Sequence, residues 1–354
     1  MLDRVLIAIA RNARFIPESL LRGLFACAAD ICWLFGVGGV RQLERNLRHV
    51  LGAAGTDNAG ISNAGTGTSQ SGDVHQAGGT TVSRRRLRQV SRRGMRAYFA
   101  YFSEAMTVGA RSEQQLRARV RGDGPGLQGL IAYVHDSTGS APLALGHQGN
   151  WDYAGFWAHH ALAPVTAVAE RLGNQKLLDT FVHIRESLGM RIVLTGQKGI
   201  TAQLREQLAK PNVVVALLAD RDLSRHGEFV TAFGSTIRVA RGPATLALDT
   251  GLPLYAVNVF RERLHGDQRR KAKSRYGYVC WFEKPIDIDR YRSLPREEAI
   301  RAISQAWVDV WAAQITRHPE DWHMLQPIFL EDLDLSRLSD VPDDILAKIA
   351  GNAA

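Results

Sequence analysis

One short segment of the chain carries the residue types that proton transfer requires. Its sequence is Gly146-His147-Gln148-Gly149-Asn150-Trp151-Asp152, and it follows a predicted strand and opens a predicted helix. A carboxylate that accepts a hydrogen bond from one imidazole nitrogen fixes the tautomer, so that the other nitrogen can take a proton from a hydroxyl. A tight turn at Gly149 would bring Asp152 back toward the ring. The segment therefore predicts that His147 is a general base and that Asp152 orients it.

The spacing of these two residues also has a competing interpretation. A histidine and an aspartate with four residues between them occur by chance in many proteins, with the histidine at the surface and the aspartate capping a helix or facing solvent. The position of the pair favours a functional role, because ligands of open α/β sheets bind outside the carboxyl ends of the strands. The chain has no Gly-x-Ser-x-Gly nucleophile motif, which argues against a serine-esterase mechanism.

The elements that must position this pair alternate between strands and helices. Short apolar runs predict strands, and amphipathic segments between them predict helices. The predicted strands cover residues 141–145, 164–169, 191–194, 212–218, 254–260 and 276–282. The predicted helices cover residues 151–161, 174–188, a segment ending at 208, 242–249 and 296–315. This alternation predicts an α/β fold in which a central mixed β-sheet is flanked by α-helices.

Composition divides the chain into four parts. Residues 1–51 are predicted to be helical and membrane-associating. Their apolar stretch 20–40 contains Arg22 and Asp30, and because charges are costly at the centre of a bilayer, we expect an interfacial or buried helix rather than a spanning one. Residues 52–82 are rich in Gly, Ala, Ser and Thr and are predicted to be a flexible insertion. The catalytic domain is predicted at 83–330 and a tail at 331–354.

The chain is basic and poor in cysteine. Lys and Arg total 44 against 35 Asp and Glu, a formal charge of +9, which favours anionic partners. Arginines at positions 85, 88, 92 and 96 share one helical face, which suits either an anionic membrane surface or ordinary solvation. The cysteines are Cys27, Cys32 and Cys280. This odd number, without a Cys-x-x-Cys pair, fits a reducing compartment and predicts neither a disulfide framework nor a metal site.

Several sequence blocks, in order along the chain, resemble a known family. The blocks are RRGMRAY at 92–98, HQGNWD at 147–152, VAERL at 168–172, RESLGM at 185–190, ADRDL at 219–223 and HPEDWHMLQP at 318–327. Together they resemble the bacterial lipid A acyltransferase-like superfamily, and within it the actinobacterial phosphatidylinositol mannoside acyltransferases. The resemblance runs through most of the chain outside residues 52–81 and the last two dozen residues.

The resemblance implies roles for individual residues and partners. His147 would be the general base and Asp152 its partner in a His-x4-Asp motif. The acceptor would be a mannose hydroxyl of a phosphatidylinositol mannoside, and the donor an acyl-CoA such as palmitoyl-CoA, with no other cofactor. Family members use a second acidic residue downstream of the Asp-Arg-Asp block. The nearest candidate is Glu228, which stands one position away from the family's pattern.

Charged residues near predicted strand ends are candidates for substrate binding. Glu170 ends a predicted strand, where it would accept hydrogen bonds from sugar hydroxyls or form a surface ion pair of little value. Arg185 lies on a predicted helix, as an active-site contact or as a solvated charge; the resemblance favours the first role. Arg221 is predicted to bind substrate charge, with Asp220 and Asp222 positioning it or, for Asp222, capping a turn.

Two alternatives to this function remain open. One keeps the chemistry but acts on another glycolipid, such as a lipid A precursor. The other is a non-enzymatic basic protein that binds nucleic acid or membrane, whose affinity for nucleic acid would fall steeply with salt. The sequence contains no recognised nucleic-acid-binding module, so we expect no nucleic-acid partner. We expect a peripheral protein at the cytoplasmic face of the plasma membrane.

Overall fold

The centre of the protein is a seven-stranded β-sheet, seen in a computed structural model that describes residues 7–9, 12, 15–62, 82–171, 173–222, 224, 226–338 and 341–352. The strands are β1 (Val120–Asp123), β2 (Ala141–Leu145), β3 (Val165–Ala169), β4 (Met190–Leu194), β5 (Val214–Leu218), β6 (Glu228–Ala232), β7 (Ser235–Val239), β8 (Tyr255–Arg263) and β9 (Tyr276–Phe282). Across the sheet their order is β1-β9-β8-β2-β5-β3-β4, and β6 and β7 form a separate hairpin.

Most neighbouring strands of the sheet run parallel. β2 pairs in parallel with β5 and β8, and β3 with β4 and β5, whereas β9 is antiparallel to β8. The predicted mixed α/β sheet is therefore confirmed. The register pairs Leu145 at the end of β2 with Leu218 at the end of β5. The residues that follow these two strands consequently emerge side by side at one edge of the sheet.

Helices cover both faces of the sheet, as a mostly parallel sheet requires. They are α1 (Glu18–Phe35), α2 (Val40–Ser62), α3 (Arg84–Thr107), α4 (Glu113–Arg119), α5 (Leu127–His135), α6 (Trp151–Ala161), α7 (Gln175–Ser187), α8 (Ile200–Leu208), α9 (Gly242–Thr250), α10 (Gly266–Ala272), α11 (Arg296–Arg317) and α12 (Asp343–Asn352). Apolar residues of α5 and α6 form one core with the sheet, and those of α9 and α11 form another on the opposite face. Trp307 and Trp311 of α11 are fully buried there.

The N-terminal helices pack on one another. Phe25 of α1 meets Phe99 of α3 edge to face, with ring centroids 6.4 Å apart. Among the described residues, no single helix is long and apolar enough to cross a bilayer; α1 and α2 satisfy that test only as a pair, which bends by 83°. Helix α2 continues to Ser62, into the segment predicted as a flexible insertion, and residues 63–81 of that segment lie outside the described residues.

Candidate active site

The turn between β2 and α6 gives His147 a fixed backbone frame. Gly149 has a positive φ of 61°, and a Cβ there would lie 2.3 Å from the carbonyl oxygen of Val259. A side chain at this position would thus force the backbone to shift. The Asn150 side chain accepts hydrogen bonds at 3.1 Å from two backbone N–H groups in the first turn of α6, which caps the helix. The predicted strand, turn and helix all occur.

The imidazole of His147 is hydrogen-bonded to Asp220. Its Nδ1 lies 2.6 Å from Oδ1 of Asp220, and its backbone N–H donates to Oδ2 at 2.9 Å. The indole N–H of Trp322 also donates to Oδ2, at 2.8 Å. Burial alone would raise the pKa of Asp220, but the imidazole and these hydrogen bonds hold it below its usual value. Asp220 is therefore a buried carboxylate that orients the ring and leaves Nε2 for a substrate.

This arrangement corrects the expected contact between His147 and Asp152. Asp152 is buried and accepts a hydrogen bond from Nε of Arg185 at 2.8 Å. The physical reason is that Asp152 lies in the first turn of α6, which packs beside α7, the helix that carries Arg185. Asp220 reaches the ring because β2 and β5 are neighbours in the sheet. The contact with His147 is absent, and the predicted catalytic role of Asp152 stays a prediction.

Of the ion pair between Asp152 and Arg185, the Arg185 side chain lines the site. Burial would lower the pKa of Arg185, but the Asp152 carboxylate and the Tyr101 hydroxyl raise it above its ordinary value. The Arg185 guanidinium also lies 3.4 Å from the Tyr101 hydroxyl. A buried pair of this kind is costly to break, because loss of one partner leaves the other charge uncompensated.

His147 stands at a cavity of about 1000 Å³. The rim of the cavity is charged and includes four predicted site residues, Glu170, Arg185, Arg221 and Asp222. Its depth is apolar and lies between α6 and the sheet, where it is lined by Leu143, Ala154, Val165, Met190, Ala216 and Val257, among others. A long apolar pocket with a charged entrance and a hydrogen-bonded imidazole between them suits an amphipathic substrate.

Two ion pairs at the rim of the cavity differ in how much their side chains are exposed to solvent. Arg221 donates to Glu170 at 3.2 Å, and the Glu170 side chain is 52% exposed. An ion pair exposed to this extent contributes little stability, so either partner can bind a polar ligand instead. Asp222, in contrast, is paired with Arg238 at 2.7 Å, and both side chains are buried. Asp222 thus anchors the loop that carries Arg221, and its role in positioning Arg221 for a substrate stays a prediction.

Glu228 lies apart from the base. It is at the start of β6 and pairs with Arg241 at 3.4 Å and Arg301 at 3.8 Å. Burial raises the pKa of Glu228 above its usual value, although the positive charges of these arginines act to lower it. Within the described part of the chain, Glu228 is outside the cavity lining. Its predicted catalytic role is untested, and the acidic residue in contact with His147 is Asp220.

Sequence reasoning missed two residues of the 318–327 block. Trp322 donates to Asp220, as described above, and His323 donates its backbone N–H to the carbonyl oxygen of His147 at 2.6 Å. The His323 side chain lines the cavity, and burial lowers the pKa of its imidazole to about 3, so it is neutral. The block itself was recognised by resemblance, but only the fold brings it against the end of β2.

The sequence pattern of the bacterial lipid A biosynthesis acyltransferase family matches residues 82–331, which include the turn, the base and the cavity. The chain belongs to this family. It is also 31% identical, over 330 residues, to a phosphatidylinositol mannoside acyltransferase of Mycolicibacterium smegmatis, covering 92% of this chain and 91% of that protein. A protein of the same name from Mycobacterium tuberculosis H37Rv is 35% identical over 246 residues, 69% of this chain and 71% of that protein.

Membership of the family makes the protein an acyltransferase of lipid or glycolipid biosynthesis. It implies an acyl donor and a lipid acceptor. These two requirements agree with the cavity, because an acyl chain needs apolar depth and an acceptor headgroup needs a polar rim. In this acyltransferase the oriented imidazole of His147 lies where the two environments meet.

Proposed function

We propose that this acyltransferase transfers a palmitoyl-like chain from acyl-CoA to a mannose hydroxyl of a phosphatidylinositol mannoside, with His147 as the general base. The observation that carries the base assignment is the 2.6 Å contact between Nδ1 of His147 and the buried Asp220. The acceptor is inferred from the similarity to the mycobacterial proteins, which extends over 92% of this chain in one of them.

The proposed reaction is a direct transfer without an acyl-enzyme. Nε2 of His147 removes the proton of the acceptor hydroxyl as its oxygen attacks the thioester carbonyl carbon. The carbon–sulfur bond then breaks, CoA leaves as the thiolate, and the proton on His147 neutralises it. Asp220 stabilises the intervening imidazolium, since a carboxylate hydrogen-bonded to the opposite ring nitrogen compensates the new charge.

The rim suits the acceptor headgroup. Glu170 is positioned to accept hydrogen bonds from sugar hydroxyls, and Arg221 beside it to bind a phosphate. Both line the cavity that contains His147. Their mutual ion pair, 3.2 Å long and half-exposed on the Glu170 side, gives way to these contacts at little cost, because surface ion pairs contribute about 0–1 kcal/mol.

An exposed apolar stripe on α1 supports peripheral contact with a membrane. Leu20, Leu24, Ile31, Leu34 and Phe35 are each more than half exposed, and all face outward on one helix. A contiguous exposed apolar surface of this kind marks an interaction site. Helix α1 packs on α3, and α3 contributes Tyr98, Tyr101 and Phe102 to the cavity lining. Lipid could therefore reach the cavity from this side, which we place at the cytoplasmic face, where acyl-CoA is available.

The arginines on one face of α3, at positions 85, 88, 92 and 96, contribute less charge to that surface than the sequence indicates. Arg92 and Arg96 both donate to Asp30 of α1, and Arg88 lies over the Trp33 ring at 4.6 Å. These contacts tie α1 to α3. The apolar stripe, rather than the arginines, is therefore the stronger basis for the proposed membrane contact.

The proposal is tested by incubating the purified full-length enzyme with radiolabelled palmitoyl-CoA and separate acceptors. The acceptors are a phosphatidylinositol mannoside, phosphatidylinositol without mannose, and a lipid A precursor. Label is expected on the mannoside alone. Label on the lipid A precursor alone would contradict the acceptor and favour the family's other substrate class, and label on neither would contradict the transfer.

A further inference from the structure

Beneath α6, the apolar part of the cavity extends in two directions from the end of β2. One arm runs beneath α6 across β5 and β3 to β4, where Met190 lines it. The other runs across β8 to β9, where Phe282 lines it. The Trp157 indole closes this second arm against the edge strand, because a Cβ on Gly122 of β1 would lie only 2.2 Å from its ring. We call them the β4 arm and the β9 arm.

The β4 arm ends in a closely packed contact between a strand and a helix. A Cβ on Gly155 of α6 would lie 2.1 Å from Sδ of Met190, so the thioether occupies space that only a glycine leaves open. Met190, Val165 and Ala158 at this end are 4–7% exposed. The arm is consequently closed at its far end by Met190, a side chain whose three rotatable bonds let it fill irregular gaps.

The length of the β4 arm follows from the strand register. Met190 is level with Val165 of β3 and Val214 of β5 in the strand register. Leu218 and Leu145, which pair with each other, lie four residues further toward the carboxyl ends of the strands. Three strand spacings give about 14 Å across the sheet and four residues about 13 Å along it, so the diagonal is about 19 Å. An extended chain advances about 1.2 Å per bond, so the arm holds about sixteen bonds. The β9 arm crosses two strand spacings, about 10 Å.

We propose that the donor acyl chain lies in the β4 arm and that Met190, seated against Gly155, sets the maximum length of that chain. The inference rests on the proposed function for its acyl-CoA donor. The β9 arm is too short for a sixteen-carbon chain, whereas the β4 arm matches it. Met190 is in this account a specificity-determining residue, and it takes no part in the proton transfer at His147.

The test measures binding of acyl-CoAs with 12 to 20 carbons to the full-length enzyme by titration calorimetry, without acceptor. Met190→Ala removes three heavy atoms from the end of the arm and should move the tightest-binding chain from about sixteen to about eighteen carbons. Each newly buried methylene should strengthen binding about fourfold, so the preference for C18 over C16 should rise about fifteenfold. Gly155→Ala, which pushes the thioether into the arm, should shift the preference toward shorter chains.

Two variants keep the result interpretable. Met190→Val loses less packing and should give a smaller shift in the same direction if Met190→Ala does not fold. Trp157→Phe enlarges the β9 arm and should leave the length profile unchanged. A profile that shifts in Trp157→Phe but not in the Met190 variants would overturn the inference. If acyl-CoAs bind but no variant shifts the preferred chain length, Met190 does not set the maximum length. If no acyl-CoA of any length binds to the wild-type enzyme, the proposed acyl-CoA donor is wrong as well.

Discussion

Replacement of Asp220 by asparagine tests which carboxylate orients the base. Asp220 accepts three hydrogen bonds, one from Nδ1–H of His147 and two on its other oxygen, from the His147 backbone and the Trp322 indole. Asparagine offers one oxygen and one NH₂ group. If the NH₂ faced the two N–H donors, two hydrogen bonds would be lost, so it should face Nδ1 instead. The imidazole must then present a lone pair at Nδ1 and carry its proton on Nε2.

That tautomer cannot accept a proton from the acceptor hydroxyl. The expected loss in kcat is about 10⁴-fold, the size seen when a catalytic histidine is held in the wrong tautomer. The assay is transfer of a labelled acyl chain to the acceptor, with thermal melting to confirm that the variant folds. Asp152→Asn is the matched control, because its carboxylate contacts Arg185. We expect it to lose about tenfold or less, or about 1.4 kcal/mol.

Two outcomes would refute this reasoning. The first is a folded Asp220→Asn variant with kcat near that of the wild type. The second is an Asp152→Asn variant that loses as much kcat as Asp220→Asn while it remains folded at the assay temperature. The second outcome would restore the pairing expected from the sequence, in which Asp152 supports the base.

Three further perturbations should have defined effects. Gly149→Ala should lower the melting temperature and abolish transfer, since its Cβ would lie 2.3 Å from a backbone oxygen; a stable, active variant would contradict the role of the turn. Arg185→Gln should destabilise the fold by about 3–5 kcal/mol in denaturant titration by leaving Asp152 unpaired, and a change below 1 kcal/mol would argue against a buried ion pair. Leu24→Asp combined with Ile31→Asp should reduce sedimentation with vesicles of phosphatidylinositol without changing the melting temperature; undiminished sedimentation would contradict the α1 contact.

The regular part of the fold is predictable from local pattern. The predicted strands at 141–145 and 276–282 and the predicted helix at 151–161 coincide with β2, β9 and α6. Short apolar segments between turn residues suit buried strands, and a longer segment suits a helix. The short edge strand β1 was not predicted. Its sequence, VRGD, has no apolar run, and it is defined by pairing with β9, more than 150 positions later in the chain. The β6–β7 hairpin was also missed, although Gly234 at its turn is a local signal.

The sequence predicts which residues lie at the active site, but it does not predict which of them are hydrogen-bonded to one another. Both their position after strands and the family resemblance predict His147 and the charged residues after β3 and β5 as site residues. His147, Glu170, Arg221 and Asp222 line one cavity. The partner of His147 was misassigned, since proximity along the chain favoured Asp152. Asp220 is 73 residues away, and only the adjacency of β2 and β5 places it at the ring. Strand order is a long-range property that local pattern does not contain.

The role of His147 as general base is tested by single-turnover acyl transfer with His147→Ala, on which acyl-CoA binding is also measured. Acyl-CoA should bind to this variant with little change, because the chain is held by the apolar depth of the cavity. Transfer to the acceptor should fall by about 10²–10⁴-fold, as expected on loss of a general base. Transfer at the wild-type rate by the folded variant would show that His147 does not remove the proton of the acceptor hydroxyl.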